Sequence, residues 1–281
     1  MARKSYRVKF SGGEPGIQLA GIVDRPHDQS DCPVLVFSHC FTCNKDLKAT
    51  VRISRALADL GVAVLRFDMR GLGGSEGDFS WSNFTTNMAD LRAAIQFGNQ
   101  EIGPVTSLMG HSFGGAASLA VAANQPEELK KLGCVVTLAA PSDTSHLAAL
   151  LAAMNPAIEQ EGTGEVSIGG LKWQIRNEML ADFRSHDLTK LIPKIRVPVL
   201  LIHSPCDRTV RYDHALRLQG LIQGAPQPHA TVSLLSLKDS DHLLAEDPND
   251  IQYVASTVAA FVDRYSARSS DGDTPPQSNS V

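Results

Sequence analysis

Three side chains, far apart in the chain, have the types and the order that nucleophilic acyl chemistry needs. They are a serine between glycines in Gly110-His111-Ser112-Phe113-Gly114, an aspartate at Asp207 and a histidine at His242. A serine hydroxyl is a weak nucleophile until a base takes its proton, and the base needs an acid to fix its tautomer. Ser112 is the candidate nucleophile, His242 the base and Asp207 the orienting acid. Ser112 follows an apolar, β-branched run from Val105 and precedes small residues, Gly115 to Ala123, that read as a helix. In that context G-x-S-x-G marks a turn so sharp that only glycine fits on either side, with the hydroxyl pushed clear of the sheet. The flanking strand and helix favour this reading over a plain glycine-rich turn.

Rival residues surround each assignment. Asp143 also follows a core strand and is the second candidate for the acid; Asp207 is preferred on loop position. Asp239 and Asp241 adjoin His242 and read as loop-capping or solvated charges. His111 lies inside the turn with its side chain directed away from Ser112, and reads as a packed, locally hydrogen-bonded histidine. An oxyanion needs two donors: the Phe113 amide, and one from the loop after the third strand, at Cys40 or Phe41, with Phe41 better placed. His39, which opens that loop, reads as structural. His39, Cys40 and His111 also stay among the candidate substrate-lining residues. Cys40-Phe41-Thr42-Cys43 is a Cys-x-x-Cys, but it opens no thioredoxin-like unit and no second pair completes a zinc site, so neither redox chemistry nor a metal is expected.

The elements that must bring these residues together follow from hydrophobic pattern. Tyr6 to Phe10 and Ile17 to Val23 alternate as two antiparallel strands. Continuous apolar runs at Pro33–Ser38, Val62–Phe67, Leu132–Ala140 and Val197–Ile202 read as strands covered on both faces, and helical segments between them imply a parallel sheet. A glycine-rich loop from Asp68 to Asp78 lacks the Gly-Lys-Ser/Thr ending of a phosphate cradle. The expected organisation is a first core segment over 1–142, a lid insertion over 143–195, a second core segment over 196–265 and a disordered tail over 266–281. The insertion reads as a helix from Ser145 to Met154, a Gly-Gly hairpin from Glu165 to Ile175 and a further helix. Leu150, Leu151, Met154 and Trp173 are its candidate substrate-facing residues.

Composition narrows the function classes. The chain has 281 residues, 43% of them hydrophobic, enough for one large α/β domain with a sizeable core. A formal net charge of −4 supplies no basic field for a phosphate backbone, so nucleic acid is not an expected partner. The five cysteines are odd in number and scattered, which argues against a disulfide framework and for a reducing compartment. The amino terminus does not read as a signal peptide and no run is long enough to span a bilayer. A soluble cytoplasmic protein, with a homodimer admitted, is the expectation.

The chain resembles the α/β-hydrolase superfamily. It looks most like the bacterial hydrolase modules found fused to a C-terminal OsmC-like domain. The likeness rests on His39-Cys40-Phe41-Thr42-Cys43-Asn44-Lys45-Asp46, Arg66-Phe67-Asp68 with Gly71-Leu72-Gly73-Gly74-Ser75, the turn around Ser112, the Gly-Glu-Val-Ser-Ile-Gly-Gly stretch from Gly164, and Asp241-His242-Leu243-Leu244. It implies an α/β-hydrolase fold with a mostly parallel sheet flanked by helices, a small lid, and a cofactor-free serine hydrolase of carboxylesterase type acting on a small-molecule ester. The OsmC-like part has no counterpart in this sequence, so its hydroperoxide chemistry is not carried over. Acyl transfer or thioester cleavage by the same triad, and a binding or sensing scaffold with an inert site, are the alternatives.

Overall fold

The structure, a computed structural model, describes residues 3–27, 31–225 and 230–266. The tail expected from 266 onward therefore falls outside the described residues, except for Ser266. The chain begins with an antiparallel hairpin, β1 (Arg3–Ser11) and β2 (Gln18–Pro26). It continues with β3 (Val34–Ser38), α1 (Lys48–Asp59), β4 (Ala63–Phe67), α2 (Phe84–Glu101), β5 (Val105–His111), α3 (Phe113–Asn124) and β6 (Cys134–Leu138). An insertion follows: α4 (Ser145–Met154), α5 (Ala157–Gln160), the hairpin β7 (Thr163–Ile168) and β8 (Leu171–Arg176), α6 (Asn177–Ser185) and α7 (Leu188–Leu191). The core resumes with β9 (Val199–His203), α8 (Asp213–Gln223), β10 (Val232–Ser236) and α9 (Pro248–Tyr265).

Eight strands form one sheet in the order β1-β2-β4-β3-β5-β6-β9-β10. The pairs β1–β2 and β2–β4 are antiparallel, and the remaining neighbouring pairs are parallel. The continuous apolar runs arise because both faces are covered. Leu35 and Phe37 face α1 and α9, whereas Val34 and Val36 face the side of α2 and α3. The chain leaves β3 to one side for β4 and returns on its other side as β5, so the crevice of this sheet opens at the carboxyl ends of β3 and β5. Those ends carry residues 39–41 and 111–113. The short helices α5 and α7 were not expected from the sequence, since a single turn is too short to establish a hydrophobic period.

The glycine-rich loop after β4 is an anchor. Its Asp68 carboxylate is fully buried and accepts bonds from the Lys45 amide at 2.6 Å, the Lys45 ammonium at 2.7 Å and the Gly74 amide at 2.8 Å. Gly73 has φ +55°, and a Cβ there would lie 2.2 Å from Asp68 Oδ2. The loop's amides thus turn toward its own carboxylate, which ties β4 to the segment that follows β3. Beside it, Arg66 bonds Asp24 and the Lys45 carbonyl, both at 2.8 Å. Removing one partner of a buried ion pair strands the other, so Asp68→Asn is expected to destabilise the protein by about 3 kcal/mol, read as a lowered midpoint in chemical denaturation. An unchanged midpoint would show that the anchor is energetically idle.

Candidate active site

Ser112 ends β5 and begins α3 with φ +53° and ψ −120°, a backbone state that L residues rarely adopt. The turn closes this tightly because Gly110 and Gly114, two residues to either side, have no side chain. A Cβ on Gly110 would come 2.2 Å from the Gly114 carbonyl oxygen, and one on Gly114 would come 2.4 Å from the His39 carbonyl oxygen. Gly115 lets α3 approach β6, since a Cβ there would sit 2.7 Å from Ala140 Cβ. Residues 113–123 of α3 are all buried, which explains their small size.

The loops after β9 and β10 supply the other two groups. His242 Nδ1 donates to Asp207 Oδ2 at 2.7 Å. The other oxygen of Asp207 accepts from the Thr209 and Val210 amides at 2.8 and 3.0 Å. Burial alone would raise this carboxyl, but the bonds from His242 and the two amides outweigh it and hold Asp207 below the usual carboxylate range. With Nδ1 committed to Asp207, the free nitrogen of His242 is Nε2. Asp143, the rival acid, is engaged elsewhere: it accepts from the His146 amide at 2.8 Å and lies 3.7 Å from Arg217. Asp241 caps its own loop, accepting from the Leu243, Ala245 and Glu246 amides.

Two buried histidines that sequence reasoning left without a partner brace this pair. His111 was expected to bond locally; instead its Nε2 donates at 2.8 Å to the carbonyl of His242, 131 residues away, and the two rings lie 5.0 Å apart. Burial, and then the neighbouring His242, push His111 down to about 3. His203, the last residue of β9, donates from Nε2 to the Val210 carbonyl at 2.8 Å and so fixes the loop that carries Asp207. Only its position at a strand end, just before the acid, could have signalled it.

His111 makes the fold sensitive to acid in a defined direction. Above about pH 6.5 it is neutral in both folded and unfolded chains; below that the unfolded chain takes up a proton that the folded one refuses until about pH 3. Stability therefore falls with pH through that window, by about 1.4 kcal/mol per pH unit for this one group. His111→Gln, which keeps a donor, is expected to flatten the dependence by one proton's slope in denaturation measured from pH 6.5 to 4. An unaltered slope would place the acid sensitivity in other groups.

The loop after β3 lies against the turn at Ser112, because Ser38 pairs with Gly110 in the sheet. His39 fixes how the loop departs. The Met69 amide donates to its Nε2 at 3.1 Å, so Nδ1 carries the proton and donates to the Cys40 carbonyl at 2.8 Å. The Cys43 amide donates to the same carbonyl at 3.1 Å. The peptide is trans, so a Cys40 carbonyl held on that side turns the Phe41 N–H the opposite way. The start of α3 likewise leaves its first amides, Phe113's among them, without intrahelical acceptors. Cys40 and Cys43 are joined in a disulfide, a local bridge where the odd and scattered cysteines had argued against a disulfide framework; Cys32, Cys134 and Cys206 are free.

Aromatic rings fill the space between this loop and the insertion. Phe41 lies 5.6 Å from Phe113, 6.0 Å from Phe183 and 5.4 Å from Phe79, whose far side meets Trp173 at 4.8 Å. Asp182 of α6 docks the insertion on the start of α2 by accepting from the Phe84 and Thr85 amides at 2.8 and 3.2 Å. Of the residues expected to line a substrate, Leu150 and Met154 are exposed at 45% and 44%, and Trp173 is half-buried. Leu151, His39, Cys40 and His111 are buried, and the contacts of His39 and His111 are with backbone. Among the described residues no cluster of His, Cys, Asp and Glu could hold a metal ion, and no helix is long and apolar enough to cross a membrane.

A serine on a strained strand-to-helix turn, together with a carboxylate–histidine pair on later strand ends, defines a class of enzyme fold. Residues 35–252 match the alpha/beta hydrolase family, and the chain belongs to it. It is similar to the esterase domain of a Rhodothermus marinus protein, at 37% identity and a TM-score of 0.73, covering 94% of this chain and 100% of that one. It is also similar to the mitochondrial palmitoyl-protein thioesterase ABHD10 of Rattus norvegicus, 24% identical over 83% of this chain and 76% of the relative. The fold is shared with Est1E of Butyrivibrio proteoclasticus, solved with ferulic acid, at 21% identity and a TM-score of 0.72 over 92% of this chain and 98% of that one.

Proposed function

We propose that this protein is a cytoplasmic serine hydrolase that cleaves carboxylic esters of short to medium acyl chain through an acyl-enzyme on Ser112. The observation that carries the reading is the 2.7 Å bond from His242 Nδ1 to Asp207 Oδ2, which commits one nitrogen of the base and leaves the other for the serine. His242 Nε2 takes the Ser112 proton as Oγ attacks the ester carbonyl, and the Phe41 and Phe113 amides hold the oxyanion. The carbonyl re-forms as the leaving alkoxide takes the proton back from His242. Water, deprotonated by the same nitrogen, then releases the carboxylic acid and frees Ser112. Leu150, Met154 and Trp173 of the insertion act as a lid over the acyl group, and the likeness to hydrolase modules of OsmC fusions belongs to this reading for the hydrolase part alone.

A second reading has specific support: the ABHD10 relatives are named thioesterases. The same roles would cleave a thioester, with a thiolate as the leaving group. Incubation with a fluorophosphonate probe is expected to label Ser112, and p-nitrophenyl esters of increasing chain length are expected to be hydrolysed fastest at short and medium lengths. Comparing kcat/KM for an ester and the matched acyl-thioester ranks the two substrates. Absence of both labelling and turnover overturns the hydrolase reading.

A further inference from the structure

The segment that offers the Phe41 amide is closed on itself by the Cys40–Cys43 disulfide. We propose that this pair is a reversible thiol–disulfide site, reacting with dithiols, that controls whether the Phe41 amide is aimed at the oxyanion. The proposal rests on the hydrolase reading, in which Phe41 is a donor.

What holds the loop is divided unevenly. On the amino side His39 is fixed by its two bonds to backbone, and on the carboxyl side the Lys45 amide is fixed on the buried Asp68. Between them the Cys40 carbonyl accepts from His39 Nδ1 and from the Cys43 amide at 3.1 Å, the Thr42 hydroxyl donates to the Phe41 carbonyl at 2.7 Å, and the bridge closes the turn, while the Phe41 ring rests on its aromatic neighbours. Thr42, inside the bridged turn, has φ +58°. A β-branched residue is strongly disfavoured in that left-handed region and stays there only when its surroundings enforce it. Opening the bridge removes one of those constraints and lets Thr42 relax toward negative φ. Of the constraints on the Cys40–Phe41 peptide, the bond from His39 Nδ1 to the Cys40 carbonyl then remains while the bridge that closes the turn is gone, so the donor's direction is held from one side only.

Access to the bridge is one-sided. Cys40 is buried, whereas Cys43 is partly exposed. One thiolate of a dithiol attacks Cys43 Sγ; the S–S bond breaks and its electron pair leaves on Cys40 Sγ, which takes a proton from water. The second thiolate of the dithiol attacks its own sulfur in the mixed disulfide and releases Cys43, which is protonated in turn. The dithiol is oxidised by two electrons to a disulfide, and the protein's disulfide is reduced to two thiols. The remaining cysteines are distinguishable from this pair: burial pushes the Cys134 thiol up to about 11, and Cys206 lies exposed on the acid loop.

The test equilibrates the full-length protein in mixtures of reduced and oxidised dithiothreitol, removes the dithiol by gel filtration under nitrogen, and follows p-nitrophenyl acetate hydrolysis. Iodoacetamide trapping and mass spectrometry count thiols at positions 40 and 43 in the same samples. As those two thiols appear, kcat is expected to fall by about tenfold to a hundredfold, the upper figure being the loss of one oxyanion donor, with KM little changed. Reoxidation restores the rate. Cys43→Ser is expected to stay at the low rate in every buffer, and Cys206→Ser to retain the response. If Cys43→Ser fails to fold, the reversible response of the wild type with mapped thiols decides. Hydrolysis that depends on Ser112 but is indifferent to thiols at 40 and 43, or a response abolished by Cys206→Ser instead, overturns the switch and leaves the hydrolase. No hydrolysis in either state overturns both.

Discussion

Ser112→Ala is expected to lower kcat for a p-nitrophenyl ester by roughly 10⁴- to 10⁶-fold while leaving the fold intact. Both parts follow from the local structure. The hydroxyl is the only atom of this side chain that alanine lacks, and it makes no capping bond to α3, so its loss orphans no helix amide. The backbone at φ +53° is imposed by Gly110 and Gly114, whose missing side chains allow the close approach of the strand and helix; alanine meets the same conditions as serine. Unfolding free energies should therefore agree within about 0.5 kcal/mol, the range of substitutions that disturb no packing. Residual turnover reflects only the oxyanion donors and substrate binding. Loss of fluorophosphonate labelling in the same variant ties the effect to the nucleophile. More than a few per cent of wild-type activity in the variant would remove Ser112 from the chemistry.

The sequence was most legible where the physics is local. A glycine-flanked serine between a β-branched run and a small-residue run can be read because the turn's steric demands fall on adjacent residues. The doubly covered strands could be read because a parallel sheet needs apolar residues on both faces, as Val34 to Phe37 provide. What sequence left dark are contacts between distant segments. The bond from His111 to the His242 carbonyl and the brace from His203 involve polar side chains whose partners only the assembled sheet brings close. The same holds for Asp68: its glycine-rich loop carried a recognisable pattern, but the anchor it makes with Lys45 joins segments that pattern alone could not connect. The Cys-x-x-Cys spacing was visible, while the odd cysteine count pointed away from the bridge; three unpaired cysteines elsewhere carried no information about this pair.

Asp207→Asn is expected to lower kcat by about 10⁴-fold near neutral pH without displacing His242. The asparagine oxygen can keep the bonds from the Thr209 and Val210 amides that Asp207 Oδ1 accepts. Its amide nitrogen then stands where Oδ2 stood, 2.7 Å from His242 Nδ1, and presents hydrogens to that atom. His242 must answer as an acceptor, so its proton moves to Nε2, the nitrogen that has to be bare to deprotonate Ser112. The base is present but in the wrong tautomer. Because bonds to His242 and the two amides hold Asp207 below the usual carboxylate range, the wild-type carboxylate stays charged through the mildly acidic region. A double variant separates this argument from a general loosening of the site. If acid and nucleophile act as one unit, Ser112→Ala with Asp207→Asn is about as slow as Ser112→Ala alone. Independent contributions would multiply. Asp143→Asn supplies the contrast, since Asp143 bonds the His146 amide and not His242; its rate should stay within a few-fold of wild type, and a collapse there would move the acid from β9 to β6.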